Sequence, residues 1–257
     1  MKKYQAYFID LDGTIYQGTK SFPSGKHFIE RLQATGQKFM FVTNNSTKTP
    51  EDVVKNLAEG HDIHVDVSQV YTSAMATADY IKRALPAAQK VLTVGERGLD
   101  VALQKLGFQI VTQDDADVVV VGLDRHVQYD DLMHATLAIQ HGAEFVATNI
   151  DTNLPSEKGF IPGAGAVIAA VQTAVQKMPH VVGKPYPTIM EGALQRADLT
   201  ADQVLMVGDN YQTDIKAGIG VKMDTLLVYS GVSTPQQVQQ EAIQPTYTIN
   251  SLDEWEI

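Results

Sequence analysis

Asp10 and Asp12 stand two residues apart in Phe8-Ile9-Asp10-Leu11-Asp12-Gly13-Thr14, directly behind an apolar run. Two carboxylates this close repel each other unless a cation joins them. Other polar groups leave apolar segments in the same way. Thr43, followed by Asn44 and Asn45, ends Phe39–Val42; Asp209 and Asn210 follow Val204–Val207, with Asp214 shortly beyond; and Lys184 follows Val181-Val182. Singly, each has an ordinary structural explanation: a turn whose carboxylates cap backbone amides, a helix cap, a solvated lysine, an Asp favoured by a helix dipole. Together, three carboxylates, a hydroxyl and a lysine arriving at one sheet edge call for a ligand. Mg²⁺, a hard cation that takes oxygen ligands and keeps several waters, fits with Asp10, Asp12 and Asp209 as the protein's share. It would leave one carboxylate ionised as a nucleophile, with Asp12 placed to protonate a departing alkoxide.

For these groups to meet, the segments before them must be neighbours. Short β-rich runs alternate with longer helical stretches, the pattern of an α/β protein with mostly parallel strands. The predicted strands are Tyr4–Ile9, Phe39–Val42, Val70–Thr72, Lys90–Val94, Val118–Gly122, Phe145–Ala147, Val204–Val207 and Leu226–Val228. Helices fill the gaps, among them Pro50–Ala58, Ala74–Leu85, Asp130–His141, Ala164–Lys177 and Pro187–Ala197. In such a sheet ligands bind where loops leave the carboxyl ends of strands, which is where the polar residues fall. Leu85-Pro86 and Met178-Pro179 mark joints, because a residue before proline is pushed out of helical geometry. They predict an inserted α/β domain over 81–178, with 1–80 and 179–257 folding together around it.

Composition narrows the chemistry. The 257 residues, 44% of them hydrophobic, are enough to bury a sizeable core. Thirty acidic against twenty basic residues give a net charge of -10, which leaves no basic field for nucleic acid. A small anionic substrate stays open, because a bound cation reverses the local potential. Without cysteine there is no disulfide, thiolate metal site or cysteine nucleophile. No apolar run approaches the roughly 20 residues of a membrane helix. The run behind Lys2 and Lys3 stops at Asp10, too short for a signal peptide, so a cytoplasmic location is expected. His61 with His64, and His134 with His141, lack a zinc-binding pattern. Gly163-Ala164-Gly165 lacks the preceding strand and third glycine of a dinucleotide fingerprint.

Asp10-Leu11-Asp12-Gly13-Thr14 resembles the DxDGT signature of the haloacid dehalogenase (HAD) superfamily of phosphohydrolases. Thr43, Lys184 and Gly208-Asp209 through Asp214 resemble its second, third and fourth motifs, in order. The phrases TNN, ATNID, PGAG, GKP and GDNYQTDI narrow the resemblance to the NagD-like, p-nitrophenyl phosphatase branch of subclass IIA. The resemblance implies a Rossmann-like parallel-sheet core with an inserted α/β cap of the C2 type. It also implies a Mg²⁺-dependent phosphatase of small phosphomonoesters such as nucleoside monophosphates or sugar phosphates, with p-nitrophenyl phosphate as an artificial substrate. By the same resemblance Asp10 forms an aspartyl-phosphate, and Asp12 serves as general acid and base while meeting the metal through its backbone carbonyl. Thr43, the amide of Asn44, Lys184 and Asn210 face the phosphate, Asp209 binds the metal, and Asp214 steadies it from behind. Asn149 and Asp151 are candidate cap contacts, and the chain is expected as a monomer or homodimer. A phospho-accepting signalling receiver and a silent phosphate-ligand binder are the rivals. The receiver has no need of so large an insert, and the binder no need of both Asp10 and Asp12.

Overall fold

Ala6–Ile9 and Val204–Gly208 are buried at every residue, as strands covered on both faces of a parallel sheet must be. They lie side by side at the centre of a six-stranded sheet, ordered Tyr247–Ile249, Asp224–Val228, Val204–Gly208, Ala6–Ile9, Lys38–Thr43, Val70–Thr72. The computed structural model describes residues 2–156 and 158–257. By contacts the chain forms two compact units. The first runs up to Thr43 and adds Glu51–Tyr71 and Lys184–Ile257; the second comprises Asn44–Pro50 and Thr72–Gly183.

In the first unit the register sets Ile9 beside Val207 on one side and Phe41 on the other. From Ala6–Ile9 the chain winds outward one way through Lys38–Thr43, and later the other way from Val204–Gly208. The order therefore reverses between Ala6–Ile9 and Val204–Gly208, and a crevice opens at the carboxyl ends of strands at such a switch point. Helix Pro23–Ala34 starts with proline at its first turn and buries Gly25, Phe28, Ile29 and Leu32. That spacing of three, four and seven puts one face on the core with Ile9, Phe41 and Val207.

The second unit has its own five-stranded parallel sheet, ordered His180–Val181, Glu144–Ala147, Val118–Val121, Lys90–Val94, Gln109–Val111. Four consecutive valines form the fully buried Val118–Val121, and helices Tyr129–Gln140 and Ala164–Val175 supply core residues beside it. Helix Ser73–Ala84 packs on Arg97–Lys105 in this unit and ends before Leu85-Pro86, where proline was expected to stop it. Among the described residues no helix is long and apolar enough to cross a membrane. The whole is the expected α/β class: parallel sheets flanked by helices, with an α/β cap inserted in a Rossmann-like core.

Candidate active site

Strand order makes neighbours of residues almost 200 positions apart. Asp10 follows Ile9 and Asp209 follows Gly208, so both carboxylates leave adjacent central strands at the switch point. Asp214 joins them because Tyr211–Ile215 forms a single wide π turn that folds back over Asn210, whose side chain caps it by accepting from Gln212 N. Oxygens of Asp10, Asp209 and Asp214 lie within 4.8 Å of one another, the one such group of His or acidic side chains among the described residues.

Lys184, 1% exposed, is set among them. Its ammonium donates to Asp10 Oδ1 at 2.6 Å, to Asp214 Oδ1 at 2.7 Å and to the Val42 carbonyl at 2.9 Å. The strand just before it, His180–Val181, belongs to the second unit's sheet. Among the described residues only Lys184 donates to the Asp10 side chain, and through Oδ1 alone. Asp209 is clamped by Thr14 Oγ1 at 3.0 Å and by the Val232 N–H at 2.7 Å. Asp214 Oδ2 accepts from Asn210 N at 3.1 Å.

The local backbone is shaped to let these groups approach. Gly13 has φ of 97°, and a Cβ there would stand 2.5 Å from Asp209 Oδ2. Gly231 is equally tight: a Cβ would collide with the same carboxylate. Ser230 Oγ donates to the Gly13 carbonyl at 2.7 Å, tying the loop after Asp224–Val228 to the turn after the first strand.

Three carboxylates face one ammonium in a buried place, and the proton affinities of Asp10 and Asp209 show the imbalance. Burial pushes the Asp10 carboxyl well above the ordinary carboxylate range; Lys184 pulls it back, while Asp214 and Asp209 push it further. Burial and the charge of Asp214 raise Asp209 to about 6, against the hydrogen bonds from Val232 and Thr14. For Lys184, burial works against the charge, but Asp10 and Asp214 outweigh it and the net shift is upward. Oxygen donors, excess negative charge and no nitrogen or sulfur ligand suit a hard divalent cation. The residues present thus fit such an ion.

The other predicted site residues are placed as follows. Asp12 is exposed, and its Oδ1 accepts from Gly18 N, in a short hairpin, at 3.2 Å. Thr43 is buried at the end of Lys38–Thr43, and Asn210 is half-buried. Asn44, Asn149 and Asp151 meet within the second unit: Asn44 Nδ2 donates to Asp151 Oδ1 at 3.1 Å, and Asn149 Nδ2 to the Asn44 carbonyl at 2.9 Å. Sequence reasoning gave Thr14, inside the quoted motif, no role of its own, and missed Ser230 and Val232. Their available signal was position, since Ser230-Gly231-Val232 exits an apolar strand just as Asp10 and Asp209 do.

A family model for haloacid dehalogenase-like hydrolases matches residues 7–109, and a second, HAD-hydrolase-like model matches 181–255. A curated "acid sugar phosphatase" of Staphylococcus aureus (strain MRSA252) is 46% identical over 254 residues, 99% of this chain and 97% of that protein. The chain belongs to the haloacid dehalogenase-like hydrolase family. The first match holds Asp10, Asp12 and Thr43, and the second holds Lys184, Asp209 and Asp214. Among solved structures, a thermostable NPPase variant from Geobacillus stearothermophilus is 44% identical, with a TM-score of 0.92 over 100% of this chain and 99% of that one. NagD from E. coli K-12 is 32% identical with a TM-score of 0.92, covering 99% of each chain. These neighbours bear out the resemblance to the NagD-like, p-nitrophenyl phosphatase branch, and the HAD hydrolase is an enzyme.

Proposed function

We propose that this HAD-family phosphatase hydrolyses small phosphomonoesters through an aspartyl-phosphate on Asp10. The carrying observation is the asymmetry of that carboxylate: Oδ1 is committed to Lys184, and no described residue donates to Oδ2. An oxygen held in place by its twin, with a cation behind it, is set up to attack phosphorus.

In the first step Asp10 Oδ2 forms a bond to phosphorus as the ester oxygen leaves, and that oxygen takes a proton from Asp12. In the second, Asp12 removes a proton from water as the water attacks phosphorus, releasing phosphate and restoring Asp10. Asp12 suits both transfers because it is exposed, two residues beyond Asp10, and steadied by Gly18 N. Lys184 and Thr43 are assigned to the phosphoryl oxygens, with Asn210 beside them. Asp10, Asp209 and the Asp12 backbone carbonyl would hold Mg²⁺, steadied by Asp214; the ion would supply charge neutralisation at the transferring phosphoryl group. The insert is assigned the substrate-reading role, with Asn149 and Asp151 as its candidate contacts. The S. aureus relative's name favours sugar phosphates, and nucleoside monophosphates share the monoester chemistry.

Phosphate release from p-nitrophenyl phosphate, a sugar phosphate and a nucleoside monophosphate, compared by kcat/KM, tests the reading. It is supported by steady turnover that ceases in excess chelator and in Asp10→Asn. Full activity of Asp10→Asn would remove the nucleophile, and a single phosphorylation without release would favour the receiver.

A further inference from the structure

Asp12 is held by a structure that cannot hold itself. The hairpin behind it pairs Tyr16–Gln17 with Lys20–Ser21 and adds one bond from Phe22 N to the Ile15 carbonyl at 3.3 Å, and so short a ribbon is marginal by itself in water. Its turn residue Gly18, at φ of 56°, donates the 3.2 Å bond to Asp12 Oδ1. At its base Gly13 N donates to the Tyr16 carbonyl at 2.6 Å, and Asp12 bridges to Tyr16. The hairpin therefore contributes to fixing the proton carrier.

One side chain anchors both strands. His61, the last residue of helix Pro50–His61, is 5% exposed. Its ring stacks on Tyr16 with centroids 4.2 Å apart and planes 4° from parallel, while Nδ1 lies 2.8 Å from Ser21 Oγ. Tyr16 and Ser21 are the directly paired residues of the hairpin, so His61 grips the ribbon at a single rung. The stack lies close to the acidic centre: burial, then the charges of Asp12 and Asp10, push the Tyr16 hydroxyl upward.

We propose that His61 is a positioning residue for Asp12, fixing the Tyr16–Ser21 hairpin and through Gly18 the reach of the proton-transferring carboxylate. The proposal rests on Asp12 acting as the acid, as argued above. A misplaced acid hurts most where the leaving group is basic. It matters little for p-nitrophenolate, which departs without a full proton.

The test compares kcat/KM for p-nitrophenyl phosphate and a simple alkyl phosphate in His61→Ala, Ser21→Ala, His61→Phe and Asp12→Ala. His61→Ala is expected to lose about tenfold or more on the alkyl ester and under about threefold on the aryl ester, as suits displacement of a general acid. Ser21→Ala, an exposed change that leaves the core alone, should show the same selectivity at smaller size, and His61→Phe, which keeps a ring on Tyr16, should recover part of it. Inhibition by inorganic phosphate should be unchanged in the His61 and Ser21 variants. Equal losses on both esters, or no loss in both His61→Ala and Ser21→Ala, would overturn the proposal. If Asp12→Ala itself lacks the selectivity, the acid assignment fails instead. If Asp12→Ala shows it and neither anchor variant does, only the role of His61 falls.

Discussion

The two parallel sheets of this chain are built alike and finished differently. Both have central strands buried at every residue, Ala6–Ile9 and Val204–Gly208 in one and Val118–Val121 in the other. At the strand ends of the first unit, Asp10, Asp209, Asp214 and Lys184 are all buried. In the second, the buried polar groups at the strand ends are neutral, Thr148 and Asn149 among them, while half-buried Glu96 pairs with exposed Arg125. A neutral polar end can satisfy itself by hydrogen bonds, as Asn149 does on the Asn44 carbonyl. A buried end with three acids and one base cannot, and that surplus makes it a site.

The sharpest way to break the contrast is to remove one acid. Asp10→Asn is expected to lower kcat by about 10⁴-fold or more, as loss of a nucleophile does, while thermal unfolding shifts little or upward. Removing the base should be felt by the fold instead. Lys184→Met leaves Asp10 and Asp214 without their cation, and breaking a buried pair costs about 3–5 kcal/mol. Denaturant unfolding should show that loss, and it should shrink as acid neutralises the carboxylates.

A third expectation concerns pH. The Asp209 carboxyl is raised to about 6 in the fold, above its ordinary value, so the folded state holds its proton more tightly than the unfolded one. The metal-free protein should therefore lose stability as pH climbs from about 4 through about 6 and stay lower above that. A divalent cation binds the ionised form, so its stabilisation, about 2.7 kcal/mol at a hundred times Kd, should appear near pH 8 and fade near pH 5. Melting curves with Mg²⁺ and with chelator at both values check the sign. The second sheet should respond least. Asn149→Ala is expected to cost about 1 kcal/mol of unfolding free energy, and Glu96→Gln, at a two-pronged pair whose Arg125 side is exposed, about 1 kcal/mol or less.

The site's charged members were legible because each is a polar residue at the exit of an apolar run, a contrast visible in one dimension. Val70–Thr72, Lys90–Val94 and Pro187–Ala197 were legible to the residue for a similar reason, their ends being marked by turns or proline. Strand order was not, since nothing local in Ala6–Ile9 says that Val204–Gly208 will be its neighbour. Tyr247–Ile249 and Gln109–Val111 escaped because these two edge strands, unlike buried Val70–Thr72, are half-exposed and carry polar residues that blur the pattern. Ser230 and Val232 escaped because a single hydroxyl or amide that meets its partner through folding has no spacing to betray it, and the bond from Thr14 to Asp209 was hidden although Thr14 lies in the quoted motif. Asp214 was read as a helper behind the metal, while the wide turn at Tyr211–Ile215 brings its carboxylate into the same cluster as Asp10 and Asp209.

Lys184 has already spent all three of its N–H donors, on Asp10, Asp214 and the Val42 carbonyl. A phosphoryl oxygen that draws on this ammonium must evict one of them, so the encounter is an exchange and not an addition. What the ligand gains is the difference between two charge-assisted bonds, which is small, rather than the whole of one. On the proposed reading the same exchange would run backwards as free phosphate departs, with an intramolecular partner waiting to take back the vacated N–H. In the proposed reaction a lysine saturated at rest would work as a spring-return, gripping the transferring group and resetting itself on its own partners.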